Sequence, residues 1–476
     1  MTDPRESDTI LQIMRTFDHI SKIRRFILAA LTLFCACSVG SAEEPPIDTL
    51  EQPRLITLSD GIKSVLNDNR LIRIALSESA MGYQDTLLAR SALLPQVSVF
   101  AGKEFLRYQP MMRSGGSEIK TANKAPSSYG IAVYQTLFDF GKSIFEYRAA
   151  RKLLQAREEN IKVVKRLAVL EFITAYFDLL EAEKMIVVYE QEAEALEAHL
   201  NDVEHLFAQG AAVKSDLLPA KIELADVRQK SIAARNDRQI AAARLNTILA
   251  FPLRVSIKVA DPDLNVPELP SRYAARVTAL AQRPEIAFYQ EQIAGADLSQ
   301  RAKSTGNLPV IYADAGYSYE QNDYQVHEDN ASIMLGAKMN LYDGGSTQAA
   351  VAKERAHQRL LSEQKDKLID DIGLELEESF FAFQNAREKI AVAATTLEDA
   401  EENVRVYRVR YAAGSATTTE MLEAISLQTK AKTNHYRDDY ELKRSYAKVL
   451  YSMGEDLAAA FMKTEDKAYG DTEPQK

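Results

Sequence analysis

The sequence repeats itself once at an offset of 204 residues, and this constrains the architecture more than any local pattern. Leu137-Phe138-Asp139-Phe140-Gly141 returns as Leu341-Tyr342-Asp343-Gly344-Gly345. Phe207-Ala208-Gln209-Gly210 returns as Tyr411-Ala412-Ala413-Gly414. Between these landmarks Leu170-Glu171 aligns with Leu374-Glu375, Phe177 with Phe381 and Ala182 with Ala386, without a gap. A surface loop drifts in length between copies. A segment whose length is held behaves as a rigid spacer.

That spacer reads as helix. From Gly141 to Gln209 there is no proline and no internal glycine, and apolar residues recur at helical spacing through Val163, Leu167, Leu170, Ile173, Phe177 and Leu180. The copy, Gly345 to Ala413, has one glycine, Gly373. At 1.5 Å per residue each helix is about 100 Å long, which points to a coiled coil or helical barrel. Gly210 and Gly414 supply left-handed C-caps, after which a second helix returns. Ser215 or Asp216 is placed to cap the first return helix, and Thr417 to Thr419 the second. The returns run to about Leu249 and Met453, and Pro252 with the proline-rich stretch from Asp261 to Pro270 closes the first half.

Ahead of each long helix the period changes to two. Short helices, Leu71 to Leu93 and Pro284 to Ser304, stop near Pro95 and Pro309. Then Val97, Val99 and Ala101, Ile131 and Val133, Ile311, Ala313, Ala315, Tyr317 and Tyr319, and Ile333, Leu335, Ala337, Met339 and Leu341 each alternate with more polar neighbours. Strands of about ten residues with one apolar face build outer-membrane barrels; a half-buried sheet in a soluble domain gives the same alternation. The expected polar loops run from Tyr108 to Ser127 and from Gln321 to Asn330.

The N-terminal segment favours the membrane. Lys22, Arg24 and Arg25 precede an apolar run from Phe26 to Val39, and Gly40-Ser41-Ala42 offers small residues for cleavage, so residues 1–42 read as a signal peptide. Met14 is an alternative start. Both cysteines, Cys35 and Cys37, fall in this segment, so the mature chain has no thiol chemistry. Lipidation of Cys37 is the other option, but Phe34-Cys35-Ala36 matches such sites poorly. Without the segment the net charge is near −11, which disfavours nucleic acid as a partner. Residues 43–253 and 254–458 form the two repeats, each a strand pair with a helical hairpin, and 459–476 is a polar tail.

Two strand pairs give four strands, too few to close a barrel, and an open edge in lipid leaves backbone groups unsatisfied. Strands in a membrane therefore require several copies of the chain. On these features the sequence resembles the TolC family of outer-membrane export factors. Thr57-Leu58-Ser59-Asp60-Gly61-Ile62 is similar to the family's first-helix motif, and Arg283-Pro284-Glu285-Ile286 to its mid-chain motif. The two strand ends and the two Gly-ended tips match as well, over about Leu55 to Gly454. The resemblance implies a mainly α fold with a membrane portion: a homotrimer in which a 12-stranded β-barrel in outer-membrane lipid stands on a 12-helix α-barrel crossing the periplasm. It also implies a passive duct for an efflux pump or type I secretion system. A periplasmic adaptor and an inner-membrane transporter of ABC or RND type would be the partners, and no cofactor is implied.

The family places acidic constriction residues six and nine positions after the second tip glycine, here Glu420 and Glu423. Three apart on a helix, they share a side, and threefold symmetry would collect six carboxylates into two stacked, cation-attracting rings. Acidic residues also sit well in any first helical turn. The family links its closed tips through an acidic residue matching Asp216 and a tyrosine matching Tyr411. An arginine of the family's pattern is replaced by Ala416, and Lys214 and Arg410 are nearby basic candidates. Catalysis has little support: His199 and His205 point to different helix faces, His357 and His435 are isolated, and Glu158-Glu159 and Glu377-Glu378 read as wet helix faces. A non-transport periplasmic coiled-coil adaptor or scaffold is the competing class, but it would carry one hairpin rather than two.

Overall fold

A computed structural model describes residues 54–262, 264 and 266–462. The expected signal peptide, with Met14, Cys35 and Cys37, lies outside the described residues, as does the tail from 463 onward.

The first half runs β1 (Arg54–Ile56), α1 (Leu58–Asp68), α2 (Arg70–Ser91), β2 (Gln96–Lys103), β3 (Met111–Ser114), β4 (Ser117–Lys120), β5 (Ser127–Phe138), α3 (Lys142–Ala208) and α4 (Lys214–Ile248). The second runs β6 (Ile257–Val259), α5 (Arg272–Gln282), α6 (Pro284–Ser304), β7 (Val310–Glu320), β8 (Asp329–Lys338), α7 (Ser346–Ala412) and α8 (Thr418–Met453). Helices α3 and α7 are both 67 residues long and start and end 204 residues apart, as the repeat requires.

The junction that launches each long helix is built twice from the same parts. Asp139 accepts hydrogen bonds from Gly141 N at 3.1 Å, from Ser143 N at 2.9 Å and from the Ser143 hydroxyl. Asp343 accepts from Gly345 N at 3.0 Å, Thr347 N at 2.8 Å and Thr347 Oγ1 at 2.6 Å. These bonds occupy first-turn donors that have no partner inside the helix. Gly141 and Gly345 sit at φ 88° and 86°, where a side chain would be strained.

The sheet order is β2-β5-β7-β8, antiparallel throughout. Its register puts every apolar row on one face. Val97 pairs with Val133, which pairs with Ala315, which pairs with Ile333. Tyr129 pairs with Tyr319, their rings stacked at 4.8 Å, at the end of the same face nearest the loops. Ser98, Ala132, Gly316 and Ser332 line up on the other face. Strands β2 and β8 are edges, and both are exposed along nearly their whole length. Among the described residues, no helix is long and apolar enough to cross a membrane.

The main core lies around the middle of α3, where Phe172, Ile173, Tyr176, Phe177 and Leu179 are fully buried. Helix α1 packs so closely there that a Cβ on Gly61 would fall 2.0 Å from the Phe172 ring. The Tyr176 hydroxyl donates to this region's small parallel sheet, which joins β1 to β6.

Four local expectations need correction. The first loop is not uniformly irregular: β3 and β4 form a hairpin around Gly115 and Gly116, both at positive φ, a turn that suits the strand twist. Strand β8 ends at Lys338, so Met339, Asn340 and Leu341 fall beyond it. Helix α4 has Val213 at its N-cap rather than Ser215 or Asp216; Asp216 instead reaches back to accept from Val213 N at 3.2 Å. The tail does not begin at 459, because residues 457–462 form a helical turn that buries Leu457 and Phe461 in the main core.

Candidate functional site

Both long helices end as their glycines dictate. Gly210 and Gly414 lie at φ 74° and 70°. One residue further on, Ala211 N and Ser415 N each donate back five residues, to Leu206 O and Arg410 O, both at 2.8 Å. The two tips face a shared cleft of about 1350 Å³, lined among others by His199, Asp216, Tyr411, Ala416 and Thr418.

Glu420 is the third residue of α8 and closes a capping box. Its Oε2 accepts from Thr417 N at 2.7 Å and Thr417 Oγ1 at 2.9 Å, while Glu420 N donates to Thr417 Oγ1 at 3.3 Å. These Thr417 bonds, backbone first, hold its carboxyl below the ordinary glutamate range, with Arg410 adding to the effect. Within one chain this is opposite to the rise that six crowded carboxylates would give. Glu423 is exposed one turn on. Met421, Leu422, Ala424 and Ile425 turn the other side of α8 into the core between the hairpins. Glu420 and Glu423 therefore share the side of α8 that this core leaves free.

Asp216 and Tyr411 line the same cleft without a hydrogen bond between them. Asp216 is engaged at its own helix start, and the Tyr411 hydroxyl lies 3.4 Å from Thr418 Oγ1. Arg410 donates to Ser415 O at 3.2 Å, so it stabilises the tip turn. Lys214 is exposed at the first position of α4, and Ala416 leaves a half-buried gap in the cleft wall.

Two side chains named above, Arg283 and His199, have contacts that the sequence alone does not give. Arg283 is 6% exposed and donates to Glu285 at 2.9 Å and to Glu375 at 2.5 Å, binding α6 to α7. Burial alone would raise the Glu285 pKa, but its bonds to Arg283 outweigh that and lower it. The Arg283-Pro284-Glu285 motif is thus part of a buried ion network whose other members, Glu375 and Arg166, come from the two long helices. The histidine at 199 is also buried, against Tyr411, with ring centroids 4.8 Å apart. Its helical period with Leu196 and Val203 carried that signal.

A family model described as outer membrane efflux protein matches residues 62–250 and 275–455. The chain belongs to this family. It is similar to the outer membrane efflux protein BepC of Brucella suis biovar 1 (strain 1330), 23% identical over 380 residues, 77% of this chain and 78% of BepC. It is also similar to the outer membrane protein TolC of Escherichia coli (strain K12), 21% identical over 408 residues, 79% and 78% of the two chains. Among solved structures, the CmeC outer membrane channel of Campylobacter jejuni superposes with a TM-score of 0.74 at 16% identity, over 86% of this chain and 89% of that one. The fold is that of these channels, and the chain is an outer-membrane efflux or export duct that extends into the periplasm. The adaptor or scaffold alternative is not favoured.

Proposed function

We propose that the working unit is a homotrimer, a passive conduit loaded from the inner membrane. The observation that carries this is the open four-stranded sheet, with one apolar face and two unpaired edges, set on two hairpins about 100 Å long. Pairing β8 of one copy with β2 of the next satisfies both edges, and three copies supply twelve strands around an aqueous lumen. The apolar row with Ile333, Leu335 and Ala337 faces lipid, and Lys338 and Ser332 face the lumen. Residues 43–253 are the first repeat, the second begins at 254 and runs through the turn that ends at 462, and 1–42 is removed on export.

Glu420 and Glu423 form the constriction, with Asp216 and Tyr411 as contacts between neighbouring tips. A periplasmic adaptor and an ABC- or RND-type transporter deliver the cargo. The trimer is tested by reconstituting the mature protein in planar bilayers and crosslinking it in intact cells. Discrete conductance steps, with an adaptor and a transporter recovered in the crosslinked complex, support the reading. Recovery without either partner and without conductance overturns it.

A further inference from the structure

Just above the tips, the stripe of α3 that faces the second hairpin reads Glu192, Leu196, His199 and Val203, exposed by 7%, 2%, 4% and 0%. The spacing is that of a coiled-coil seam, yet two of its four positions titrate. At the aligned positions of the second copy stand Thr396, Ala400, Asn403 and Tyr407, so the repeat does not demand charge there. We propose that this seam is a proton-released latch on the tips, with His199 as the group that releases it. The inference rests on the duct reading above.

His199 joins the two hairpins at one point. Its ring meets Tyr411 of α7 edge-on, and the Tyr411 hydroxyl contacts Thr418, the first residue of α8. Its Nε2 is buried without a hydrogen-bond partner. A neutral imidazole tolerates this as an idle acceptor; an imidazolium would bury an N–H with nothing to receive it. Other charged groups line the cleft: Glu194, Asp202 and His205 from α3, Asp216 from α4, Arg408 from α7 and Lys432 from α8.

Burial lowers the His199 pKa, and Asp202 only partly offsets it. The sign follows. The packed seam binds the proton less well than a loosened one, so it weakens as pH falls below about 6.5, the free histidine value. Glu192 acts in the opposite sense. Burial raises its pKa despite Lys230 of α4 and Thr429 of α8, with Glu223 and Asp226 of α4 adding to the rise. Acid therefore relieves Glu192 while it strains His199, and the two can be separated by substitution. Release at His199 frees the start of α8, which carries Glu420 and Glu423.

The test is uptake of an uncharged oligosaccharide by vesicles holding the full mature protein, between about pH 7.5 and about pH 5.5. A neutral solute is chosen because the charges of Glu420 and Glu423 act on ion flux directly, whatever the width of the tip. Uptake should rise several-fold on acidification in the parent and in Glu192→Gln. It should stay flat in His199→Phe, which keeps the ring packing, and in His199→Gln should the first fail to assemble. An acid rise that survives in the His199 variants overturns the latch. Steady uptake at every pH in the parent overturns the latch and leaves the duct standing; no uptake at any pH overturns both.

Discussion

Asp139 and Asp343 make the same turn 204 residues apart, each carboxylate accepting from the amide two residues on and from the amide and hydroxyl four residues on. Each turn lies between the inner end of a strand and the first turn of a 67-residue helix, so it sets the angle at which sheet meets hairpin. Asp139→Ala should cost about 1–2 kcal/mol, as the loss of a helix cap does. Asp343→Ala should act in the same direction, and the double variant should be close to additive because the turns share no partner. Bonds from Thr347 hold the Asp343 carboxyl below the ordinary aspartate range. Its contribution is therefore full above about pH 3.9 and is lost as pH falls through the lower folded value. Thermal loss of assembled protein on gels, followed against pH, checks both statements.

The buried network gives a larger effect. Arg283→Ala takes the cation from Glu375 and leaves Glu285 with Arg166 alone, 3.6 Å away, and should cost about 3 kcal/mol. Because Arg283 holds the Glu285 pKa down, that contribution is present above about pH 4.3 and fades as pH falls through the depressed value. Urea unfolding followed by circular dichroism should show the parent losing stability in acid more steeply than Arg283→Ala. Equal acid slopes would show that the pair is not coupled to folding.

The long elements were legible in the sequence because each is many periods long. Helices α3 and α7 differ from expectation by a residue at either end, and Pro284–Ser304 matches it, since proline at the first position and a loop before Pro309 bound it. The β3–β4 hairpin was missed because four-residue strands give only two periods of alternation, and the signal lay in Gly115-Gly116 alone. The turns at Asp139 and Asp343 are visible as a repeated Asp-x-Gly-x-Ser/Thr pattern, but repetition alone marks a position and does not say that the carboxylate caps the helix. Partners across elements were illegible: nothing local says that Arg283 meets Glu375 or that His199 meets Tyr411.

On the sheet, Leu335 is opposite Ala313 and lies on the face that carries the Val97–Val133–Ala315–Ile333 row. Leu335→Arg should cost about 2–4 kcal/mol if that face meets the middle of the bilayer. Ser332→Arg, on the opposite face, should cost little. Heat resistance of the assembled species on gels separates them: equal resistance of the two variants would contradict the assignment of faces, and a greater loss in Ser332→Arg would reverse it.

At the tip, cap and charge can be separated. Glu420→Gln keeps an acceptor for Thr417 N and so keeps the capping box, while removing the charge. With Glu423→Gln it should lower cation selectivity and abolish block by multivalent cations in planar bilayers, with no loss of assembly. Retention of the parent's selectivity and block would leave Glu420 as a helix cap only.

The most direct test is the mass of the assembled protein. Multi-angle light scattering of the mature protein in detergent, corrected for bound detergent, should give three times the mass of one chain, because β2 and β8 are open edges in a single copy. A monodisperse species of one-chain mass that retains its full β-sheet signal would contradict the account.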